Sequence, residues 1–228
     1  MNRINEKIVE FYINNNHLKG DKYLPMFYDS PAENHTVLSI GLNPSLTNAA
    51  SLKLDDKELW LENFIKSDDT TKNLKIQEVV NLQKSLKSSE KKIPYFKYLE
   101  TFFEEIGYPN FEESVYHYDL YQKRITNSKD VINDFYEEKH LLPELIDQLE
   151  LVIDQLQPKI IFVFNATVSK LLKENSFLSS NNLDNELGCY FKKDIPVILA
   201  NQLSGGATST IYRDILIWNT KRIINKTA

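Results

Sequence analysis

The chain has 228 residues, with 42% hydrophobic and 26% charged side chains, a composition ordinary for a soluble globular protein and enough to bury a core without covalent staples. One cysteine, Cys189, excludes a disulfide framework or a cysteine-rich metal site within the chain. A net charge of −5 argues against holding a nucleic-acid duplex by bulk charge, although a local basic patch on an acidic body stays open.

The first residues, MNRINEKIVEFYINNN, lack the apolar core of a signal peptide. No apolar run approaches the roughly 20 residues of a membrane span, so a cytoplasmic protein without membrane attachment is expected. Ile4, Ile8, Phe11 and Tyr12 fall on one face of a short helix, and residues 1–30 read as a helical extension of a single domain over 1–228. The segment from Ser67 to Lys92 is polar and reads as a surface helix followed by a loop.

Four segments read as buried strands: TVLSIG (36–41), SVYHYDLY (114–121), KIIFVFN (159–165) and IPVILAN (195–201). The last two are continuous apolar runs, the pattern of parallel strands covered on both faces. Helices are expected between them. IPYFKYLETFFEEIGY carries Phe96, Leu99, Phe102, Phe103 and Ile106 on one side, with Pro94 in its first turn and Gly107 as its stop. LLPELIDQLELVIDQLQP aligns Leu141, Leu145, Leu149, Val152 and Leu156 before Pro158. ATVSKLLKEN follows the third strand, and STIYRDILIWNTKRIIN follows the fourth, with Ile211, Ile215, Trp218 and Arg222 along one face.

Alternating strands and helices predict a three-layer α/β/α sandwich around a central, mostly parallel four-stranded sheet. Ligands of such sheets bind beyond the carboxyl ends of the strands. The residues that follow the strands therefore belong together: Gly41-Leu42-Asn43-Pro44-Ser45, Asp119-Leu120-Tyr121, Asn165-Ala166-Thr167 and Asn201-Gln202-Leu203-Ser204-Gly205-Gly206. Each also has a plainer reading. The first is a good tight turn, Asp119 suits a helix cap or an ion pair with Lys123 or Arg124, and Asn165 and Thr167 are good cap residues. Two glycines ahead of a helix let backbone N–H groups approach an anion, with Arg213 one turn into that helix. His117 and Asp119 are two apart on a strand and face the same side, which either couples their protonation or makes an exposed polar edge. No His, Cys or carboxylate set shows metal-ligand spacing, and neither a dinucleotide nor a triphosphate loop signature occurs; no metal or cofactor is expected.

In this order, SIGLNPS, YHYDLYQ, PKIIFVFNATVSKLL and ILANQLSGG resemble the motifs of the uracil-DNA glycosylase superfamily, nearest its Gly-x-Asn-Pro, mismatch-type branch, over about residues 36–224. The resemblance implies a monomeric DNA base-excision glycosylase that flips a deaminated or damaged, uracil-like base out of the helix and hydrolyses its N-glycosidic bond. It implies that Asn43 orients the attacking water and that Asn201 opens the last catalytic motif. Asp119 would read the base edge, with Gly41, Pro44 and Tyr121 lining the base site. Ser45, Ser204, Gly205, Gly206 and Arg213 would hold the phosphate backbone. The alternative is a non-catalytic module on the same fold that binds a nucleotide, base or nucleic acid.

Overall fold

The computed structural model describes residues 3–15, 26–42, 66–87, 94–121, 133, 136–201, 203 and 209–227. In chain order the described elements are α1 (Arg3–Asn14), β1 (Val37–Gly41), α2 (Asp69–Lys87), α3 (Pro94–Glu105), α4 (Phe111–Ser114), β2 (Val115–Asp119) and α5 (Leu142–Leu156). They continue with β3 (Ile160–Val163), α6 (Ala166–Glu174), β4 (Leu183–Asp184), β5 (Cys189–Lys192), β6 (Ile195–Leu199) and α7 (Thr210–Thr227). The chain divides into two compact units. One comprises Met1–Ser30, Asn43–Lys91 and Tyr121–Val152; the other comprises Pro31–Leu42, Lys92–Leu120 and Ile153–Ala228.

In the first unit, the expected stripe of α1 is buried: Ile4, Ile8, Phe11 and Tyr12 all lie inside. Asn5 fastens this helix to the chain that follows, its amide donating to Tyr28 O (2.9 Å) and its Oδ1 accepting from Tyr28 N (2.9 Å). Leu141, just before α5, and Leu145, Leu149 and Val152 within it are also buried. The polar segment after Ser67 forms α2, and Asp68 caps it by accepting from Thr71 N and Thr71 Oγ1 (2.8 and 3.1 Å). Those bonds hold the Asp68 carboxyl below its ordinary pKa. Ile76, Val79 and Val80 of α2 are buried, so this helix is less superficial than its composition suggests.

The second unit holds the whole sheet, in the order β2-β1-β3-β6-β5-β4. The four strands expected from the apolar runs are its parallel part, with β1 between β2 and β3 and β6 beyond β3. The expectation of a four-stranded sheet is corrected: the sheet has six strands and is mixed, because β5 and β4 add to β6 in antiparallel fashion. These two strands are short and only half-buried, so neither shows the apolar run that marks the other four.

Both sets of alternating residues on β1, β2 and β3 are buried, as parallel strands covered on both faces require. On one face, Val37, Val115, Ile160, Phe162, Phe164 and Ile198 join Leu99, Phe102, Phe103 and Ile106 of α3 and Leu216 and Ile223 of α7 in one core. Four phenylalanine rings centre it. Phe162 of β3 and Phe164, just past its end, stack at 5.5 Å, and Phe102 and Phe103 meet both of them edge-on at 5.3–5.8 Å. Such edge-to-face pairs each add about 0.5–1.5 kcal/mol beyond their area.

Candidate functional site at the carboxyl ends of the strands

Strand β1 neighbours β2 on one side and β3 on the other, so the chain reverses its direction of strand addition at β1. That is a topological switch point, where ligands of open α/β sheets bind. The switch brings two expected site residues together. Gly41, the last residue of β1, is in register with Asp119, the last residue of β2. The ladder runs one step further, with Leu120 N donating to Gly41 O (3.1 Å).

Asp119 leans across β1 into the space Gly41 leaves. A Cβ at Gly41 would lie 2.3 Å from Asp119 Oδ1 and 3.3 Å from His117 Cε1 and Nε2. The glycine is thus needed for close approach, beyond its part in the turn that the sequence suggested. One step back along both strands, Ser39 is in register with His117, and Ser39 Oγ and His117 Nδ1 are 3.0 Å apart. His117 Nε2 is 3.6 Å from Asp119 Oδ1, with both side chains less than a tenth exposed. Phe96, in the first turn of α3, sets its ring edge-on to the imidazole at 5.4 Å.

The result is a buried polar file, Ser39–His117–Asp119, along the ends of two adjacent parallel strands. Strand alternation places all three on one face. The reading of His117 and Asp119 as an exposed polar edge is corrected: both side chains are buried. Ser39 escaped the sequence reading because it sits inside the apolar run VLSIG. Its signal was phase: it is two residues before Gly41, as His117 is two before Asp119.

The file suits recognition better than nucleophilic attack. Ser39 is fully buried and cannot reach a substrate. A carboxylate that carries no proton only accepts hydrogen bonds, so a ligand meeting Asp119 in that form would present an N–H or O–H. The imidazole lies beside one carboxylate oxygen, at 3.6 Å.

The other expected residues fall as follows. Asn201, just beyond β6, is exposed, and its backbone N–H donates to Tyr212 Oη of α7 (3.3 Å). Arg213 Nη2 donates to Glu105 Oε1 at 2.6 Å, so an anion arriving there competes with a carboxylate. Tyr121 belongs to the first unit, where it is buried and its hydroxyl donates to Glu138. Asn43, Pro44, Ser45, Ser204, Gly205 and Gly206 lie outside the described residues. Asn165 takes its plainer reading: its Oδ1 caps α6 by accepting from Thr167 N and Val168 N (2.9 and 3.1 Å).

Against protein-family models and curated proteins, the chain finds no match. Among the described residues, no group of three or more His, Cys, Asp and Glu is placed to hold a metal ion. No helix among them is long and apolar enough to cross a membrane. A cavity of about 290 Å³ lies between Ile153, Asp154, Gln157, Pro158, Lys193 and Ile195, at the amino ends of β3 and β6 and so at the opposite end of the sheet from Asp119.

Proposed function

We propose that this chain is a divergent member of the uracil-DNA glycosylase superfamily, a three-layer α/β/α DNA glycosylase that removes a deaminated base. The observation that carries the reading is the Asp119 carboxylate laid over Gly41 at the switch point, two residues before Asn43. An acceptor-only group there suits bases with a ring N–H on the pairing edge, which uracil, hypoxanthine and xanthine share.

In this reading Asn43 holds a water in line with the C1′–N bond. The bond breaks with oxocarbenium character, and charge developing on the departing base is stabilised by fixed dipoles around it. Asn201 stands at the start of the last motif, Gly41 and Pro44 shape the base site, and Tyr121, two residues after the base reader, is the aromatic assigned to it in this reading. Ser45, Ser204, Gly205, Gly206 and Arg213 hold phosphates, by backbone N–H groups and by charge.

The second reading, a module that binds a nucleotide, base or nucleic acid without cleavage, is favoured by the ion pair that occupies Arg213 and by the net charge of −5. One assay separates the two. The purified protein is incubated with single- and double-stranded oligonucleotides carrying uracil, hypoxanthine, xanthine or mismatched thymine, and abasic sites are scored after alkali. Cleavage of one of them, abolished in Asn43→Ala while DNA binding persists, supports the glycosylase. Binding without cleavage supports the module, and neither binding nor cleavage rejects both.

A further inference from the structure

Helix α7 turns two different faces to its surroundings. Leu216, Thr220 and Ile223 are buried, and Leu216 and Ile223 join the phenylalanine core. On the opposite side, Ile211, Ile215 and Trp218 are 72%, 59% and 63% exposed, three of the seven large apolar side chains left open among the described residues. Their spacing, i, i+4 and i+7, makes a single stripe that Arg222 continues at i+11. The stripe legible in the sequence is therefore the outward face of this helix.

Two further features shape it. Trp218 is held in place: the Arg222 guanidinium sits 5.2 Å from its ring centre and donates to Glu186 O, Leu187 O and Asn219 Oδ1 (2.8, 3.2 and 2.9 Å). A rigid Trp backed by Arg loses little freedom on burial and is the commonest kind of interface anchor. Along one flank of the stripe lie Asp214 and Lys221, both exposed, and neither makes an ion pair with a described residue.

We propose that this face of α7 docks on the same face of a second copy of this chain, antiparallel and about a two-fold axis. The occupant follows from self-complementarity. Turning the stripe about a point midway between Ile215 and Trp218 sets Ile215 on the partner's Trp218 and Ile211 on the aliphatic stem of the partner's Arg222. In an antiparallel helix pair, like flanks face each other, so Asp214 meets the partner's Lys221 and Lys221 meets the partner's Asp214. One acidic and one basic residue on the same flank, centred within one residue of the axis and so within reach of each other across it, match a second copy without any other molecule. The contact is one helix face wide, which makes a weak, concentration-dependent dimer. It replaces the monomer expected from sequence and is independent of the glycosidase reading.

The test is sedimentation velocity of the full chain across the micromolar range. The expected result is a monomer–dimer equilibrium that Ile215→Asp and Trp218→Ala shift to monomer. Asp214→Lys and Lys221→Asp each weaken association about fivefold or more by setting like charges opposite each other. The combined variant Asp214→Lys with Lys221→Asp restores it, a rescue that a merely structural role for either residue does not give. Both charges are exposed, so these variants keep the test valid even if Trp218→Ala fails to fold. A monomer at every concentration, as when another segment of the same chain covers the stripe, overturns the proposal. So does a dimer that is indifferent to Trp218→Ala and to charge reversal.

Discussion

The carboxylate of Asp119 occupies the volume that a side chain at Gly41 would fill, with Oδ1 2.3 Å from the position of a Cβ there. Two residues at the ends of neighbouring strands thus share one site, and each limits what the other can be.

Gly41→Ala is expected to push the Asp119 side chain off its place over β1. The clash is with the end of a side chain rather than with backbone, so the chain still folds, at a cost of about 1–3 kcal/mol. In an Asp119→Ala background the same substitution costs distinctly less, because the closest contact is gone. Urea unfolding of the two single variants and the double variant checks this. Strict additivity would show that the two residues do not share the space.

Ser39→Ala removes the hydroxyl that meets His117 Nδ1 in a fully buried position. A loss of about 1–3 kcal/mol is expected, the penalty for withdrawing a partner from a buried polar atom. Replacing both groups, as Ser39→Ala with His117→Phe, is expected to cost less than the sum of the two singles. Denaturant midpoints decide it. Additive costs would mean that the hydrogen bond contributes nothing of its own.

Glu105 holds Arg213 in an ion pair, with the two side chains 42% and 31% exposed. Partly exposed pairs of this kind are worth roughly 0–1 kcal/mol, so Glu105→Gln should barely alter folding. It frees the guanidinium, and on the reading that Arg213 meets a phosphate it should tighten oligonucleotide binding. Arg213→Ala should weaken binding and reduce the slope of log K against log salt by about 0.7–0.9. An unchanged slope would remove Arg213 from the phosphate site.

Burial pushes the Cys189 thiol up from 9.0 to about 11, with Asp184 adding to the rise and Arg222 opposing it. The folded state therefore keeps its proton where the unfolded state has lost it. Above about pH 9 the unfolded chain binds fewer protons than the folded one, so stability falls with rising pH and the decline levels off past about 11. The urea midpoint followed from pH 8 upward should show this decline, and it should be smaller in Cys189→Ala, where the partly buried Tyr108 hydroxyl, also raised from its ordinary value, still contributes at the upper end. Iodoacetamide should modify the folded protein slowly at pH 8, because the thiolate is the nucleophile.

Much of this architecture is legible in the sequence, for a physical reason. Strands buried on both faces must be apolar at every position, and the runs at 36–41, 159–165 and 195–201 are nearly so. The stripes of α1, α3 and α5 come from the same need to cover one face. What escapes reading is whatever burial does not dictate. The β4–β5 hairpin is short and half-solvated, so Leu183, Asp184 and Lys192 carry no periodic signal. The outward stripe of α7 looks the same in sequence as a core stripe. At the site, strand-end logic finds Asp119 and Gly41, whereas Ser39 hides in its apolar run and is exposed only by the register of β1 against β2. The steric reason for Gly41 is likewise a fact of register, which no local pattern carries.

Strand β1 is an inner strand of the parallel array, yet both its partners come later in the chain. Val37 waits for Val115 on one side and Ile160 on the other. At ribosomal speeds of roughly 5–20 residues per second, on the order of ten seconds separate the synthesis of Val37 from that of Ile160. Until Val115 is made, Val37, Leu38 and Ile40 have no strand of the sheet to pair with, and until Ile160 is made one edge of β1 stays open on a nascent chain. The order of strands that builds the switch point thus also sets a period of vulnerability during synthesis, in which this protein depends on whatever shields its first strand.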